Sequence, residues 1–192
     1  RIRLNDPSVV ELNREYRLDD QYNIWKDAGD FTIKGSYFEL GDPGIPHLVV
    51  EYQGIVSRIC GAEHLKDANE NVLRELGRAL RWNSALPKGA NVNFVEVIGN
   101  DEVCERTFER GVEEFTYACG TGTGCAAAVL AYFGKVSGNN VKFNVPGGNL
   151  YIDIEEINDV KDGDLCVHGI FLTGPTNVVI KGEITDENLP LL

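Results

Sequence analysis

The spacing of hydrophobic and polar positions along the chain indicates a protein that is rich in β-structure. Alternation with a period of two, interrupted by clusters of Gly, Pro, Asn and Asp, predicts strands. The predicted strands lie at residues 1–4, 31–40, 45–52, 91–98, 103–110, 141–145, 150–157, 165–172 and 178–184. Strands 91–98 and 103–110 are expected to form a hairpin, and the rest of the first thirty residues is expected to be polar and irregular.

Two segments have the spacing of helices instead. In residues 67–82, Val72, Leu76 and Ala79 recur at helical spacing, which predicts an amphipathic helix. Residues 125–133 follow a glycine-rich run and are apolar on every side, which predicts a helix that is buried all round. One such helix among many strands favours an α+β fold, in which a curved, mostly antiparallel β-sheet is rolled around a central buried helix.

The composition is that of an ordinary globular protein, with 43% hydrophobic and 25% charged residues. Eighteen basic and 30 acidic residues give a net charge of −12, which argues against nucleic acid as a partner because a polyanion is bound by a cationic surface. No apolar run approaches the roughly 20 residues needed to cross a bilayer, and the polar start has no secretory signal. We therefore expect a cytoplasmic protein without membrane contact.

Five cysteines, at positions 60, 104, 119, 125 and 166, form no CxxC pair. Neither a zinc site of common spacing nor a disulfide framework is expected, so no metal is predicted. The chain also lacks methionine and opens abruptly in a predicted strand. We therefore interpret residues 1–192 as one domain of a longer protein.

The glycine-rich run at residues 118–124, which reads Ala-Cys-Gly-Thr-Gly-Thr-Gly, is the most informative segment. Its glycines allow a tight turn, and a helix that begins there directs unpaired N–H groups and a positive dipole end at one point. Such a point binds carboxylate or phosphate, and its field is expected to favour the thiolate of Cys119. The alternative for this segment is a tight turn in which Cys119 is a small buried cysteine. Cys125 lies inside the apolar helix and is interpreted as a core residue.

Two further positions carry candidate chemistry. Glu109 and Arg110 end the strand before the glycine-rich run and are suited to holding an ammonium and a carboxylate group respectively. The alternative for them is an ordinary surface ion pair. His47 follows a proline and is either an acid/base group or a structural histidine.

Taken in order, these segments resemble the C-terminal half of the diaminopimelate epimerases, a family of amino-acid epimerases that use no cofactor. The resemblance extends over residues 1–184. It rests on Gly44-Ile45-Pro46-His47, Ala90-Asn91-Val92-Asn93-Phe94, Glu109-Arg110-Gly111, Thr116-Tyr117-Ala118-Cys119-Gly120-Thr121-Gly122, Val145-Pro146-Gly147-Gly148 and Leu172-Thr173-Gly174-Pro175.

The resemblance implies two similar domains with the active site between them, the N-terminal one being absent from this chain. It implies that two cysteines face each other across the substrate α-carbon, one removing a proton as thiolate and the other returning a proton as thiol. Cys119 matches the second-domain cysteine, and Glu109 matches the residue that contacts the substrate ammonium group. His47 matches a histidine near the catalytic centre.

The same resemblance assigns the substrate-binding residues. Asn91 and Arg110 match residues that bind the distal end of the substrate. Gly120 and Thr121 match positions whose backbone N–H groups hold the α-carboxylate. No cofactor is implied, and the expected partners are a small amino acid and the N-terminal domain, with a homodimer left open.

The sequence departs from the family at three points. No cysteine stands in the C-G-N-G context of the opposing base, Ile45 replaces the usual asparagine, and Phe115 replaces an acidic or polar residue. The leading hypothesis is conversion of LL- to meso-diaminopimelate in lysine biosynthesis. The alternatives are a racemase for another polar amino acid such as histidine and a non-catalytic anion-binding domain. A cysteine-nucleophile hydrolase is a further alternative, which is disfavoured because the sequence names no His or Asp partner for Cys119.

Overall fold

The computed structural model describes residues 1–18, 31–160 and 164–183, which form a β-rich domain with a central helix. Ten strands of this part join in one sheet, in the order β1-β10-β9-β8-β6-β5-β4-β3-β2, with β7 paired to β6. The strands are β1 (Ile2–Arg3), β2 (Pro7–Leu18), β3 (Phe31–Gly41), β4 (Gly44–Glu51), β5 (Asn91–Gly99), β6 (Glu102–Glu109), β7 (Glu114–Phe115), β8 (Val141–Val145), β9 (Gly148–Val160) and β10 (Asp164–Thr173). The helices are α1 (Ile55–Cys60), α2 (Glu70–Arg81) and α3 (Gly120–Tyr132), and a 3₁₀ turn spans Leu65–Asp67.

Helix α3 lies inside the curl of the sheet. Residues 122–130 of the helix are all buried, and it contacts β3, β4, β5, β9 and β10. The two ends of the sheet approach each other, because the Asp6 carboxylate accepts hydrogen bonds from the Gly169 amide of β10 and the Asp6 carbonyl accepts one from the Gly41 amide of β3. The predicted α+β architecture, a sheet rolled around a buried helix, is confirmed.

Most strand pairs are antiparallel, and two are parallel. Strands β4 and β5 are parallel and are joined through α1 and α2, while β6 and β8 are parallel and are joined through α3. A parallel pair requires a crossover of this kind, since a tight hairpin turn joins only antiparallel strands. The two crossovers place α2 on one face of the sheet and α3 on the other, so each face has its own apolar core.

Two predictions of secondary structure need correction. Strand β2 occupies much of the segment expected to be irregular, because Tyr16 and Leu18 are buried while its other face is polar and exposed. Residues 178–183 form no strand, and Val178, Val179 and Ile180 are each about 80% exposed or more. Ile184 and residues 19–30 lie outside the described residues. No helix in the described ranges is long and apolar enough to cross a membrane.

Candidate functional site

The register of three central strands gathers polar residues at one end of the face that packs on α3. In the parallel pair His47 of β4 lies opposite Asn91 of β5, and in the antiparallel pair Asn93 lies opposite Thr107 of β6. Alternate residues of a strand point to the same face, so Asn91 and Asn93 share the face of Val95, which belongs to the core around α3. The apolar core thus gives way to a polar layer beneath the start of α3.

Cys119 is the N-cap residue of α3. Its backbone is extended, and its side chain makes no capping hydrogen bond to the helix. The first backbone bond of the helix runs from the Thr123 amide to the Cys119 carbonyl at 2.9 Å. The amides of Gly120 and Thr121 therefore precede every intrahelical bond and are available to an anion.

Two glycines permit the close packing of this helix terminus. A Cβ atom at position 120 would lie 2.6 Å from a methyl carbon of Leu172. At position 122 it would overlap the side-chain amide nitrogen of Asn93. The glycine-rich pattern therefore serves contact between the helix and the sheet as well as the turn.

The expected effect of the helix terminus on the Cys119 thiol is present, but burial of the thiol outweighs it. Burial raises the pKa of this thiol above its usual range, which outweighs the nearby Gly122 amide and Thr121 hydroxyl, two polar groups that favour the thiolate. The nearby carboxyl groups of Glu109 and Glu105 raise the pKa further. The side chain is only 8% exposed, so Cys119 rests as a thiol at neutral pH.

His47 lies behind Thr121 and is fully buried. Its Nε2 atom is 3.0 Å from the Thr121 hydroxyl oxygen, which in turn lies 3.6 Å from the Cys119 sulfur. Burial lowers the pKa of His47 to about 4, so the imidazole is neutral at physiological pH. The structure therefore brings together Cys119, Thr121 and His47, with His47 one residue removed from the thiol.

Sequence reasoning missed the group beneath these residues. Glu105 is 1% exposed, and its carboxylate accepts hydrogen bonds from Thr123 at 2.6 Å and Asn93 at 3.1 Å. Burial raises the pKa of Glu105 to about 7. A signal was present in the alternation of β6, because Glu105, Thr107 and Glu109 occur at every second position.

Asn91, Arg110 and Glu109 lie at the end of the same strands. The Asn91 side-chain oxygen accepts a hydrogen bond from the Arg110 amide at 2.7 Å, and the exposed Arg110 guanidinium donates to the Lys88 carbonyl at 3.1 Å. Within the described part of the chain, Glu109 and Arg110 form no ion pair with each other. The Arg110 side chain is exposed and that of Glu109 is partly exposed, so both are accessible to a ligand at this edge.

The two substituted family positions differ in their surroundings. Ile45 is 45% exposed, two residues before His47 at the start of β4. Phe115 packs in the core on the α2 side, with its ring 5.8 Å from that of Phe108 and beneath the Arg106 guanidinium. Phe115 is therefore part of the packing on the α2 side, whereas Ile45 lies on an accessible surface.

The thiol environments predict an order of alkylation in this chain. We expect iodoacetamide to label the half-buried Cys166 before Cys119 at about pH 7, and to leave the fully buried Cys125 unlabelled. Because thiolate is the reactive species, labelling of Cys119 should rise about tenfold per pH unit and continue to rise beyond the usual cysteine range. Peptide mapping across pH measures this, and labelling of Cys119 first at neutral pH would mean that the helix terminus outweighs burial.

The architecture is shared with solved structures of racemases and epimerases. The crystal structure of a probable proline racemase from Agrobacterium radiobacter K84 superposes with a TM-score of 0.55 and 18% sequence identity, over 91% of this chain and 52% of that chain. The domain therefore has the fold of these isomerases.

The sequence comparisons are more specific. Residues 63–177 match the model of the family described as diaminopimelate epimerase. The chain is 32% identical over 169 residues to the diaminopimelate epimerase of Leptospira biflexa, covering 82% of this chain and 56% of that protein. It is 36% identical over 148 residues to that of Aquifex aeolicus, covering 76% and 45% respectively. The chain belongs to the diaminopimelate epimerase family and spans about half the length of these relatives.

Proposed function

We propose that this chain forms one face of the active site of an amino-acid epimerase that uses no cofactor, with LL-diaminopimelate as its substrate. The observation that carries the proposal is the position of Cys119, whose thiol lies at the N-terminus of α3 beside backbone amides with no intrahelical acceptor. Membership of the diaminopimelate epimerase family supports the reaction class. The second face is assigned to an N-terminal domain, which is supported by the observation that this chain spans about half the length of its relatives.

The amides of Gly120 and Thr121 are proposed to bind the α-carboxylate of the substrate. An α-proton of an amino acid is a very weak acid, so the carbanion formed by its removal needs stabilisation. Fixed dipoles aimed at the carboxylate provide it without rearrangement, and the positive end of α3 is such a dipole. Glu109 is proposed to bind the substrate ammonium group, and its effect on the Cys119 pKa is consistent with a position close to the thiol.

The direction of proton transfer follows from the protonation of Cys119, which is a thiol before the reaction begins. For substrate of one hand, a thiolate on the opposing domain takes the α-proton and leaves the bonding electron pair on the α-carbon. The Cys119 thiol then gives its proton to the other face, so the configuration inverts and Cys119 becomes the thiolate. The raised pKa of Cys119 suits this donor role, and the reverse reaction exchanges the roles of the two sulfurs.

Arg110 and Asn91 are proposed to recognise the distal end of the substrate. Arg110 presents an exposed guanidinium, which binds carboxylates through parallel hydrogen bonds. The Asn91 side-chain oxygen accepts a 2.7 Å hydrogen bond from the Arg110 backbone amide and so holds the backbone of Arg110 in place. His47 is proposed to position Thr121 rather than to contact the substrate, since it is fully buried behind that residue.

The test is deuterium uptake at the α-carbon in heavy water, using the complete enzyme in which this chain is joined to its N-terminal domain. LL-Diaminopimelate should exchange and invert faster than histidine, glutamate or lysine offered at equal concentration. Exchange of histidine at a higher rate would favour the racemase of another polar amino acid, for which the exposed Ile45 is the supporting observation. An absence of exchange with every amino acid would contradict the proposed reaction.

A variant at position 45 tests recognition of the distal end. Ile45→Asn restores an amide donor at an accessible position, and a hydrogen bond to a charged group contributes roughly 1.5–3 kcal/mol. We therefore expect kcat/KM for diaminopimelate to rise by about 10- to 100-fold relative to histidine.

The matched control is Ile98→Asn. Ile98 is 50% exposed, against 45% for Ile45, and it lies at the end of β5 away from Asn91 and the candidate site. Its substrate ranking should equal that of the unaltered enzyme. An unchanged ranking in Ile45→Asn as well would mean that position 45 does not contact the substrate.

A further inference from the structure

Glu105 is a buried carboxyl group that the proposed reaction does not use. It lies on β6 beneath the N-terminus of α3, and its hydrogen-bond partners are the neutral side chains of Thr123 and Asn93. No salt bridge to Glu105 is found within residues 1–18, 31–160 and 164–183. Burial of a carboxyl group without a cation costs free energy. The hydrogen bonds that Glu105 forms in the core fix the positions of the side chains around it.

The Glu105 carboxyl group orients the Asn93 side-chain amide. Its Oε1 atom lies 3.1 Å from Asn93 Nδ2, which also donates to the Thr107 hydroxyl at 2.8 Å. The Oε2 atom lies 2.6 Å from the Thr123 hydroxyl, so a proton on the carboxyl group has an acceptor there. Oε1 therefore accepts from Asn93 in both protonation states, and a reversed amide would place two oxygens in contact.

The orientation of Asn93 fixes the tautomer of His47. Asn93 Oδ1 lies 3.1 Å from His47 Nδ1, and an amide oxygen only accepts, so Nδ1 carries the hydrogen. The neutral ring then has its lone pair on Nε2, which accepts from the Thr121 hydroxyl at 3.0 Å. With its hydrogen directed at His47, the Thr121 oxygen faces the Cys119 sulfur as an acceptor for the S–H group.

We propose that Glu105 is a positioning residue for Cys119, which sets the direction of a hydrogen-bond chain through Asn93, His47 and Thr121 and thereby holds the thiol as a proton donor. The inference rests on the proposed function for the role of Cys119 but not for the hydrogen-bond chain itself. A second link supports it, because the Thr123 hydroxyl also lies 3.0 Å from the Cys119 carbonyl oxygen. Glu105 therefore connects to both the side chain and the backbone of the N-cap residue.

The tautomer of His47 is a spectroscopic signature of this chain of bonds. In ¹⁵N NMR spectra of this chain at about pH 7, well above the His47 pKa of about 4, we expect Nδ1 to resonate as a protonated nitrogen and Nε2 as an unprotonated one. A His47→Gln variant identifies the signals among those of the three histidines. A protonated Nε2 in the unaltered protein would overturn the proposal.

Variants of Glu105 then separate orientation from charge. Glu105→Gln keeps an oxygen for Asn93 and places an NH₂ group near Thr123, so the single Nδ1–H tautomer should be retained. Glu105→Leu removes the carboxyl acceptor and leaves the Thr107 hydroxyl, which can either accept from or donate to the Asn93 amide. We therefore expect a mixture of tautomers together with a fall in the pH at which Cys119 is alkylated, larger than that in Glu105→Gln. A single unchanged tautomer in folded Glu105→Leu would overturn the proposal.

Thr107→Val keeps the proposal falsifiable if Glu105→Leu fails to fold. Valine has the shape of threonine and suits a strand, and this change leaves Glu105 as the remaining acceptor for Asn93 Nδ2. Retention of the tautomer supports Glu105 as the orienting group, and its loss would assign that role to Thr107. These spectra require no turnover, so a failure of the proposed reaction would leave their outcome intact.

Discussion

Cys119→Ala in the complete enzyme is expected to reduce epimerisation by about 10³-fold or more, because proton transfer by a positioned group contributes on that order. The fold should survive the change. The Cys119 side chain makes no capping hydrogen bond to α3, and the Cys119 carbonyl that begins the helix is retained. Inversion of a single enantiomer, followed by circular dichroism or chiral chromatography, measures the loss.

Two further variants sharpen this test. Cys119→Ser should be almost as inactive as Cys119→Ala, since a hydroxyl group is a much weaker acid than a thiol and remains protonated. Cys166→Ala is the matched control, because Cys166 pairs with Asn158 near the beginning of β10, whereas the part of β10 that meets the start of α3 is at Leu172. Near-normal inversion by Cys119→Ala would remove this cysteine from the mechanism, and a similar loss in Cys166→Ala would point to general damage.

The sequence predicted the architecture well where one residue pattern has one structural solution. A helix that is apolar all round must be enclosed, and the surrounding alternating segments leave a curved sheet as the enclosure. The pattern predicts the bounds of α2 less sharply. A helix is expected over residues 67–82, whereas a 3₁₀ turn ends at Asp67 and the helix begins after the Asn69 cap. The six residues of α1 are too few to establish a helical period.

The larger errors in the predicted strands concern segments at or beyond the edges of the sheet. Strand β2 is mostly polar because it lies at the edge of the sheet, where one face meets solvent. Its pairing with β3 also contains an irregularity between Glu11 and Arg14, which disturbs the alternation. Conversely, Val178, Val179 and Ile180 have the composition of a strand but have no strand beside them. Composition indicates the propensity of a segment to form a strand, whereas the pairing of that strand depends on the neighbours that the fold provides.

The chemistry of the candidate site depended on burial, which spacing does not report. The glycine-rich run located Cys119 at the helix terminus, but the direction of its pKa is set by desolvation of the thiol in the folded domain. Glu105 has a similar explanation. In the sequence it is one acidic residue among many, and its importance arises from Thr123 on α3 and Asn93 on β5, which meet it only in the folded domain.

The chain of 192 residues by itself is expected to invert no amino acid, and addition of the N-terminal domain is expected to restore turnover. Inversion requires a proton acceptor on one face of the α-carbon and a donor on the other. Cys125 is enclosed within α3, and Cys60 lies in the core on the α2 side, so neither reaches the start of α3. Cys104 packs on the α2 side as well, and Cys166 pairs with Asn158, away from the Leu172 side chain of β10 that meets the start of α3. Cys119 is therefore the one cysteine that the described residues place at the proposed site.

Reconstitution distinguishes an incomplete site from an inactive one. The chain and the N-terminal domain are mixed as separate polypeptides, and inversion of LL-diaminopimelate is followed together with deuterium uptake at the α-carbon. The same mixture with Cys119→Ala is the control: the two chains should still associate, measured by light scattering, while turnover is lost. Rapid inversion by the isolated chain would place both bases within these residues, and Cys119 would then need a partner that this fold does not bring to it.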